Sequence, residues 1–239
     1  MENGLFSSAD FTQWSKNYVL YLHISTRIEG RKHEGLFRAK GFTGFPTLAF
    51  LDVEGGLTAK HAGSRVVGGI QKTADKSMAY MALRDKAASG DKVAVQHLFV
   101  ADLELARYDF TLGSLKLAGL RKEMSESLQK KADQLMIDTQ YSELRRRLTK
   151  ELSAGLGRKE YTRRYQGLNL DFYRSGLFPS GRTALSILMG VMGYAFQNKD
   201  EALLGQALEK FKAQASNQPG FAPRVARYES MLAQLRRDK

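Results

Sequence analysis

The spacing of hydrophobic residues changes near residue 90 of this 239-residue chain. Before that point, short apolar runs rich in β-branched and aromatic residues alternate with polar turns, which is typical of strands covered on both faces. Beyond it, apolar residues recur every three or four positions, as they do on one face of a helix. The pattern therefore predicts an α/β domain over residues 1–89, followed by an all-α domain over residues 90–239.

The first domain is predicted to alternate helices and strands. The predicted elements are, in order, a helix from Ser8, a strand Tyr18–Ile24, a helix His33–Lys40, strands Thr47–Asp52 and Leu57–Gly63, and a helix Thr73–Ala88. Ser8 is a suitable N-cap for the first helix, and Gly41 is a suitable stop for the second. Glu54, Gly55 and Gly56 indicate a hairpin turn between the last two strands.

The second domain is predicted to consist of helical hairpins in series. Its apolar stripes contain Ala94, Leu98, Ala101 and Leu105, then Leu120, Met124, Leu128 and Leu135, then Leu204, Leu208 and Phe211, and finally Val225, Tyr228, Leu232 and Leu235. The last two stripes predict a hairpin broken at Asn217–Gly220, where proline and glycine interrupt the helix. Gly167–Gly181 is predicted as a loop or connector. The hairpins are expected to pack in a tetratricopeptide-like manner. The sequence shows no fixed repeat period, so it does not assign the helices to a particular repeat family.

One stretch of the first domain resembles a known fold. The strand Tyr18–Ile24 is followed by Lys40–Asp52, which reads KGFTGFPTLAFLD, and then by Glu54 and Gly55. This order of strand, helix, Gly-Phe-Pro-Thr, strand and acidic-glycine turn resembles the thioredoxin fold family. The resemblance covers roughly the first third of the chain, residues 5–88, and implies an incomplete thioredoxin-like domain.

The same resemblance implies a role for Phe45, Pro46 and Thr47. In thioredoxins the proline before this strand is held cis and lies beside the bound polypeptide, so the Phe45–Pro46 bond is expected to be cis. Proline has no backbone N–H, and at the first residue of a strand it leaves a neighbouring backbone group free. The three residues are therefore candidate contacts for a polypeptide or protein partner.

The Cys-x-x-Cys motif of active thioredoxins is absent, because the chain contains no cysteine. Residues 1–24 resemble the segment that follows this motif in relatives of the disulfide-reductase type. By that resemblance, either the cysteines and an export signal lie upstream of a truncated chain, or the domain has lost its redox chemistry. We expect a redox-inactive thioredoxin-like protein that binds polypeptide. The alternative is a fragment of a thiol-disulfide oxidoreductase.

A cluster of basic residues in the helical domain gives the strongest competing signal. The formal net charge of the chain is +12, which suits an acidic partner such as nucleic acid. Cations with tyrosines nearby can hold a phosphate backbone and stack bases. Interspersed glutamates at i,i+3 and i,i+4 spacings instead favour a solvated helix face, and that interpretation is preferred. The cluster comprises Arg145, Arg146, Arg147, Lys150, Arg158, Lys159, Arg163 and Arg164.

Other chemistry is not indicated by the sequence. The four histidines lack ligand spacing on a helix, so neither a metal site nor a cofactor is predicted. The glycine pairs Gly55-Gly56 and Gly68-Gly69 are predicted turns, since a phosphate-binding loop needs a different spacing. No apolar run is long enough to span a membrane, and the first residues do not resemble a signal peptide. The oligomeric state and the compartment stay open.

The lack of cysteine generates a direct prediction. Without a thiolate the chain has no group that attacks a disulfide, so the purified protein should not catalyse disulfide reduction. In an insulin-reduction assay, we expect turbidity to develop at the rate of the dithiothreitol background. A rate above that background would contradict the redox-inactive interpretation.

Overall fold

The computed structural model describes residues 4–22, 35–42, 44–215 and 219–237, and these are mostly helical with one small antiparallel sheet. The chain divides into two compact units, Met1–Arg107 and Tyr108–Lys239, called the first unit and the second unit below. The predicted boundary at residues 89 and 90 falls between two helices of the first unit.

The first unit combines short elements with two longer helices. Its elements are a 3₁₀ turn Leu5–Ser7, helices α1 (Ala9–Ser15) and α2 (Leu36–Ala39), strands β1 (Ala49–Leu51) and β2 (Leu57–Lys60), and helices α3 (Val67–Ala88) and α4 (Lys92–Glu104). The strands pair antiparallel, with Phe50 opposite Ala59 and a bulge between Phe50 and Leu51. The α3 helix covers β2, and the hydroxyls of Thr58 and Ser77 share a buried hydrogen bond of 2.7 Å.

Several local predictions for the first unit are confirmed. The Ser8 side chain caps α1 by accepting a hydrogen bond from the Phe11 N–H at 3.1 Å. Gly41 has a φ of +70° just after α2, and Gly55 has a φ of +76° in the hairpin turn. Both values lie in the left-handed region that glycine adopts without a steric penalty.

An aromatic cluster packs α1 against the sheet. The indole of Trp14 stacks on Tyr18 with ring centroids 4.4 Å apart, and both rings meet Phe50 of β1 edge-on. Phe11 is buried, and its ring centroid lies 5.6 Å from that of Trp14. The indole N–H of Trp14 donates to the Gln71 side chain at 2.5 Å, which ties α1 to α3.

The predicted strand Tyr18–Ile24 is wrong over its described part. Residues 18–22 belong to no strand, and Val19 is 99% exposed and Leu22 81% exposed. Residues 23 and 24 lie outside the described residues. Aromatic and β-branched residues favour a strand, but a strand also needs a neighbour to take its backbone hydrogen bonds. Neither β1 nor β2 provides that pairing.

Two predictions about glycine-containing segments are also wrong. Gly68 and Gly69 lie in the first turn of α3, which begins at Val67 and therefore earlier than predicted. In the second unit, Gly167–Gly181 is a connector only at its end, because a helix continues to Ser175. There, apolar side chains at helical spacing enter the core and outweigh the glycine and proline content.

The second unit is helical throughout its described residues. Its helices are α5 (Phe110–Leu120), α6 (Glu126–Ser153), α7 (Arg158–Ser175), α8 (Gly181–Gln197), α9 (Glu201–Ala215) and α10 (Ala222–Arg237), with 3₁₀ turns at Arg121–Glu123 and Pro219–Phe221. The core is centred on α8 and α9, where Ile187, Leu188, Leu204 and Phe211 are fully buried. The predicted hairpin of the last two stripes corresponds to α9 and α10, although residues 217 and 218 of its break lie outside the described residues.

The Asp52 carboxylate joins the hairpin turn to α3. One oxygen accepts the Gly56 N–H at 2.5 Å, and the other accepts from the Arg84 guanidinium at 2.8 Å. A side chain at residue 56 would collide with this carboxylate, since a Cβ there would lie 2.7 Å from Asp52 Oδ2. Burial raises the pKa of Asp52, but the hydrogen bonds from Gly56 and Arg84 outweigh burial and hold that pKa below its usual value.

This lowered pKa predicts how the stability of the first unit depends on pH. Because the folded-state pKa of Asp52 lies below the unfolded value, its contribution is present above the unfolded pKa and is lost as pH falls through the folded pKa. At pH 7, Asp52→Asn should lower the free energy of unfolding by about 2 kcal/mol, since it removes a charged hydrogen-bond acceptor. Urea unfolding followed by fluorescence measures this, because Trp14 is the single tryptophan.

The difference between the wild type and Asp52→Asn should shrink as pH falls below the unfolded pKa of about 4. Asp75→Asn is the matched control, because Asp75 lies on exposed α3 surface and accepts from the neighbouring Gln71 side chain. Equal losses for the two variants, or a difference that stays constant with pH, would contradict the role given to Asp52.

Candidate binding surfaces

The predicted contact residues Phe45, Pro46 and Thr47, here called the Pro46 edge, precede β1 and are separated from it by Leu48. The Phe45 side chain is 68% exposed, and its ring stacks on Phe37 of α2 with centroids 4.4 Å apart and planes inclined by 16°. The Phe45–Pro46 peptide bond is cis, which is the geometry that the resemblance implies. An exposed aromatic ring therefore packs on α2 four residues before the strand begins.

Polar contacts close the turn that carries the Pro46 edge. The Thr47 hydroxyl donates to the Gly44 carbonyl at 2.5 Å. The Arg65 guanidinium donates to the Pro46 carbonyl at 3.3 Å and so links the turn to the segment that leads into α3. These contacts position the backbone on both sides of Phe45 and leave its ring facing solvent.

The outer edge of β1 has no strand beside it among the described residues. Leu48 accepts a backbone hydrogen bond from His61, and the Asp52 N–H donates to Gly56, each at 2.9 Å. Backbone groups alternate in direction along a strand, so Phe50 also faces β2. The N–H and C=O groups of Ala49 and Leu51 therefore point away from β2, toward the open edge.

Large exposed hydrophobic side chains are concentrated in the first unit, within the part of the chain that the structure describes. Near the sheet these include Leu51 at 41% exposed, Val53 at 96% and Val66 at 56%. Isolated exposed apolar residues are ordinary, but several beside an open strand edge are typical of an interaction surface.

The sequence predicts the Pro46 edge as a candidate surface but does not predict two residues that contact it. Phe37 supports the Phe45 ring, and Arg65 binds the Pro46 carbonyl from 19 residues further along the chain. Nothing local in the sequence marks either contact, because both depend on how the turn folds back onto α2 and the start of α3.

The second candidate surface lies on α6 and α7. Its residues are the predicted basic cluster, here called the basic surface: Arg145, Arg146, Arg147, Lys150, Arg158, Lys159, Arg163 and Arg164. All eight side chains are exposed. The connection between the two helices spans only residues 154–157, so the end of α6 and the start of α7 are close together.

Glutamates pair with three of these eight cations. Glu160 accepts from Arg163 through both oxygens, at 2.6 and 2.7 Å, and from Arg164 at 2.8 Å. Arg164 also donates to Glu151 of α6 at 2.7 Å. These guanidinium hydrogen bonds lower the pKa of Glu160 to about 2. A weaker contact of 4.0 Å joins Arg147 to Glu143.

The other five cations have no acidic partner within 4 Å among the described residues. They are Arg145, Arg146, Lys150, Arg158 and Lys159. The ion pairs with glutamates that the sequence predicts therefore form for fewer than half of the cations in the basic surface. This surface keeps a local excess of positive charge.

The tyrosines beside the basic surface are engaged in packing. Tyr161 and Tyr165 stack on each other with planes inclined by 3° and centroids 6.0 Å apart. The hydroxyl oxygens of Tyr141 and Tyr165 lie 3.4 Å apart, and Tyr173 is buried in the core. Burial removes Tyr173 from any contact with a bound base, whereas Tyr161 and Tyr165 are half-buried, so base stacking by these two rings stays a prediction.

A shallow groove of about 660 Å³ adjoins the basic surface. Lys159 and Arg163 line it together with Glu160, Gln166 and Gln197. The side-chain amides of Gln166 and Gln197 lie within hydrogen-bond distance, at 3.2 Å, and join α7 to the end of α8.

No metal-binding or membrane-spanning feature is present in the described part of the chain. Within it, no three histidine or acidic side chains come together to hold a metal ion. His61 donates or accepts at 2.8 Å with the Thr73 hydroxyl, while His23 and His33 lie outside the described residues. No helix there is long and apolar enough to cross a bilayer.

The comparisons with known proteins do not assign a family. No protein-family model matches the chain, and no curated protein or solved structure matches it. The likeness to the thioredoxin fold therefore rests on residues 5–88 of the sequence alone.

Proposed function

We propose that this chain is a redox-inactive, thioredoxin-like protein that binds an extended polypeptide at the Pro46 edge and along β1. One observation carries the proposal. The exposed ring of Phe45 is held beside a strand whose outward backbone groups lack a partner among the described residues.

The open edge of β1 suits an added strand. An extended peptide beside it would accept from the N–H groups of Ala49 and Leu51 and donate to their carbonyls, as in β-strand addition. Main-chain hydrogen bonds of this kind supply affinity without requiring one particular sequence. This row of main-chain hydrogen bonds would end at Pro46, because proline has no backbone N–H to donate.

The exposed side chains indicate which residues the partner segment carries. Phe45, Leu51 and Val53 present apolar surface next to the edge. Burying such surface contributes about 25 cal/mol per Å². A segment with aromatic or aliphatic side chains at alternate positions fits this surface best, because alternate residues of a strand face the same side.

The proposal is tested with carboxymethylated α-lactalbumin, a polypeptide that stays unfolded. Fluorescence anisotropy of the labelled probe should report binding to the wild-type chain. Phe45→Ala should weaken binding at least about fivefold, because a central aromatic contact is typically worth more than 1 kcal/mol. Circular dichroism and Trp14 fluorescence should stay unchanged, because the ring is exposed.

The matched control is Met78→Ala, which removes a similarly exposed apolar side chain from α3 of the same unit. This variant should bind the probe as the wild type does. Equal affinity for wild type and Phe45→Ala would overturn the proposal. A concentration-dependent dimer that excludes the probe would instead assign the open edge to a second copy of the chain.

A further inference from the structure

We propose that the basic surface of the second unit binds nucleic acid through its phosphates. This inference is independent of the polypeptide site, since each surface lies in a different unit. Its starting point is the group of five exposed cations that lack an acidic partner among the described residues.

The C-terminal half of α6 presents two cations away from the core. Tyr141 and Leu148 are its buried residues and mark the inner face of this half. At 100° per residue, Arg146 and Lys150 fall nearly opposite these two residues, one turn apart and therefore about 6 Å along the axis. The α7 helix adds Arg158 and Lys159 directly beyond the short connection.

The paired arginines still contribute to such a site. Arg163 uses Nε and one Nη to hold Glu160, and Arg164 uses Nε and one Nη on Glu160 and Glu151. Each guanidinium therefore keeps its remaining Nη free of any described partner. Arginine supplies most of the basic surface, and its planar fork matches a phosphate better than the ammonium of lysine does.

The groove next to the cations provides groups that suit a nucleotide. Lys159 and Arg163 stand at its wall, and the amides of Gln166 and Gln197 lie within it. Side-chain amides both donate and accept, which is what base edges and ribose hydroxyls require. A strand that crosses the cations would bring its sugars and bases to this groove.

Two other anionic partners fit less well. An interfacial membrane site needs an apolar face beside its cations. Among the described residues 144–166, Leu144 at 37% exposed is the single large exposed hydrophobic side chain, which is too little for such a face. An acidic polypeptide offers carboxylates on separate flexible side chains. A nucleic acid offers one phosphate per nucleotide along a continuous strand, so it engages several of these cations at once.

The test is fluorescence anisotropy of the full chain with a labelled 20-nucleotide single-stranded RNA. Binding should weaken steeply with salt, because each neutralised phosphate releases counterions. With about five phosphates contacted, the log–log slope should be about −3.5, so affinity should fall about 100-fold between 50 and 200 mM salt. Absence of binding at 50 mM salt would overturn the proposal.

Charge reversal locates the site. Arg146→Glu combined with Lys150→Glu should lower affinity at least about tenfold and make the salt slope shallower by about 1.4. The control combines Lys122→Glu with Arg182→Glu, which changes the net charge equally. Lys122 and Arg182 are exposed, and Arg182 lies about 22 Å along α8 from Gln197.

The affinity of the control variant for RNA should fall less than about threefold, which is the loss expected from the change in net charge alone. Equal losses for the two double variants would mean non-specific attraction and would overturn the proposed site. Displacement of the RNA by polyglutamate or by phosphatidylserine vesicles at equal charge concentration would also overturn the proposed site. Circular dichroism of both variants checks that the helices are intact.

Discussion

One buried carboxylate holds the small sheet in place, and the proposed polypeptide site depends on it. Asp52 directly follows β1, its side chain is 4% exposed, and it binds both the Gly56 N–H and the Arg84 guanidinium. A two-stranded hairpin alone is marginally stable in water. Fixing its turn to α3 therefore fixes β1, and with it the direction in which the edge groups of Ala49 and Leu51 point.

Periodicity predicted much of the helical structure and the hairpin, because those features follow from local sequence. The Ser8 cap and the glycines at residues 41 and 55 are local in the same sense. The strand predicted from Tyr18 failed because pairing depends on a neighbouring strand, which local sequence does not report. The loop predicted from Gly167 is wrong because α7 continues to Ser175, and its buried apolar side chains outweigh the glycine content.

The candidate sites also combine features that local sequence predicts with contacts that it does not predict. Phe45–Thr47 stands out in the sequence, whereas the ring support from Phe37 and the bond from Arg65 arise only when distant segments meet. Spacing predicted the pairing of Glu160 with Arg163 and Arg164. The link from Glu151 to Arg164 crosses between helices, so spacing alone did not predict it.

Hydrogen–deuterium exchange detected by NMR at single residues tests the central claim most directly. The N–H groups of Ala49 and Leu51 face the open edge, whereas the Phe50 N–H faces β2. Adding carboxymethylated α-lactalbumin should slow exchange at residues 49 and 51 and leave residue 50 nearly unchanged. Unchanged exchange at residues 49 and 51 while the probe is bound would contradict strand addition at β1.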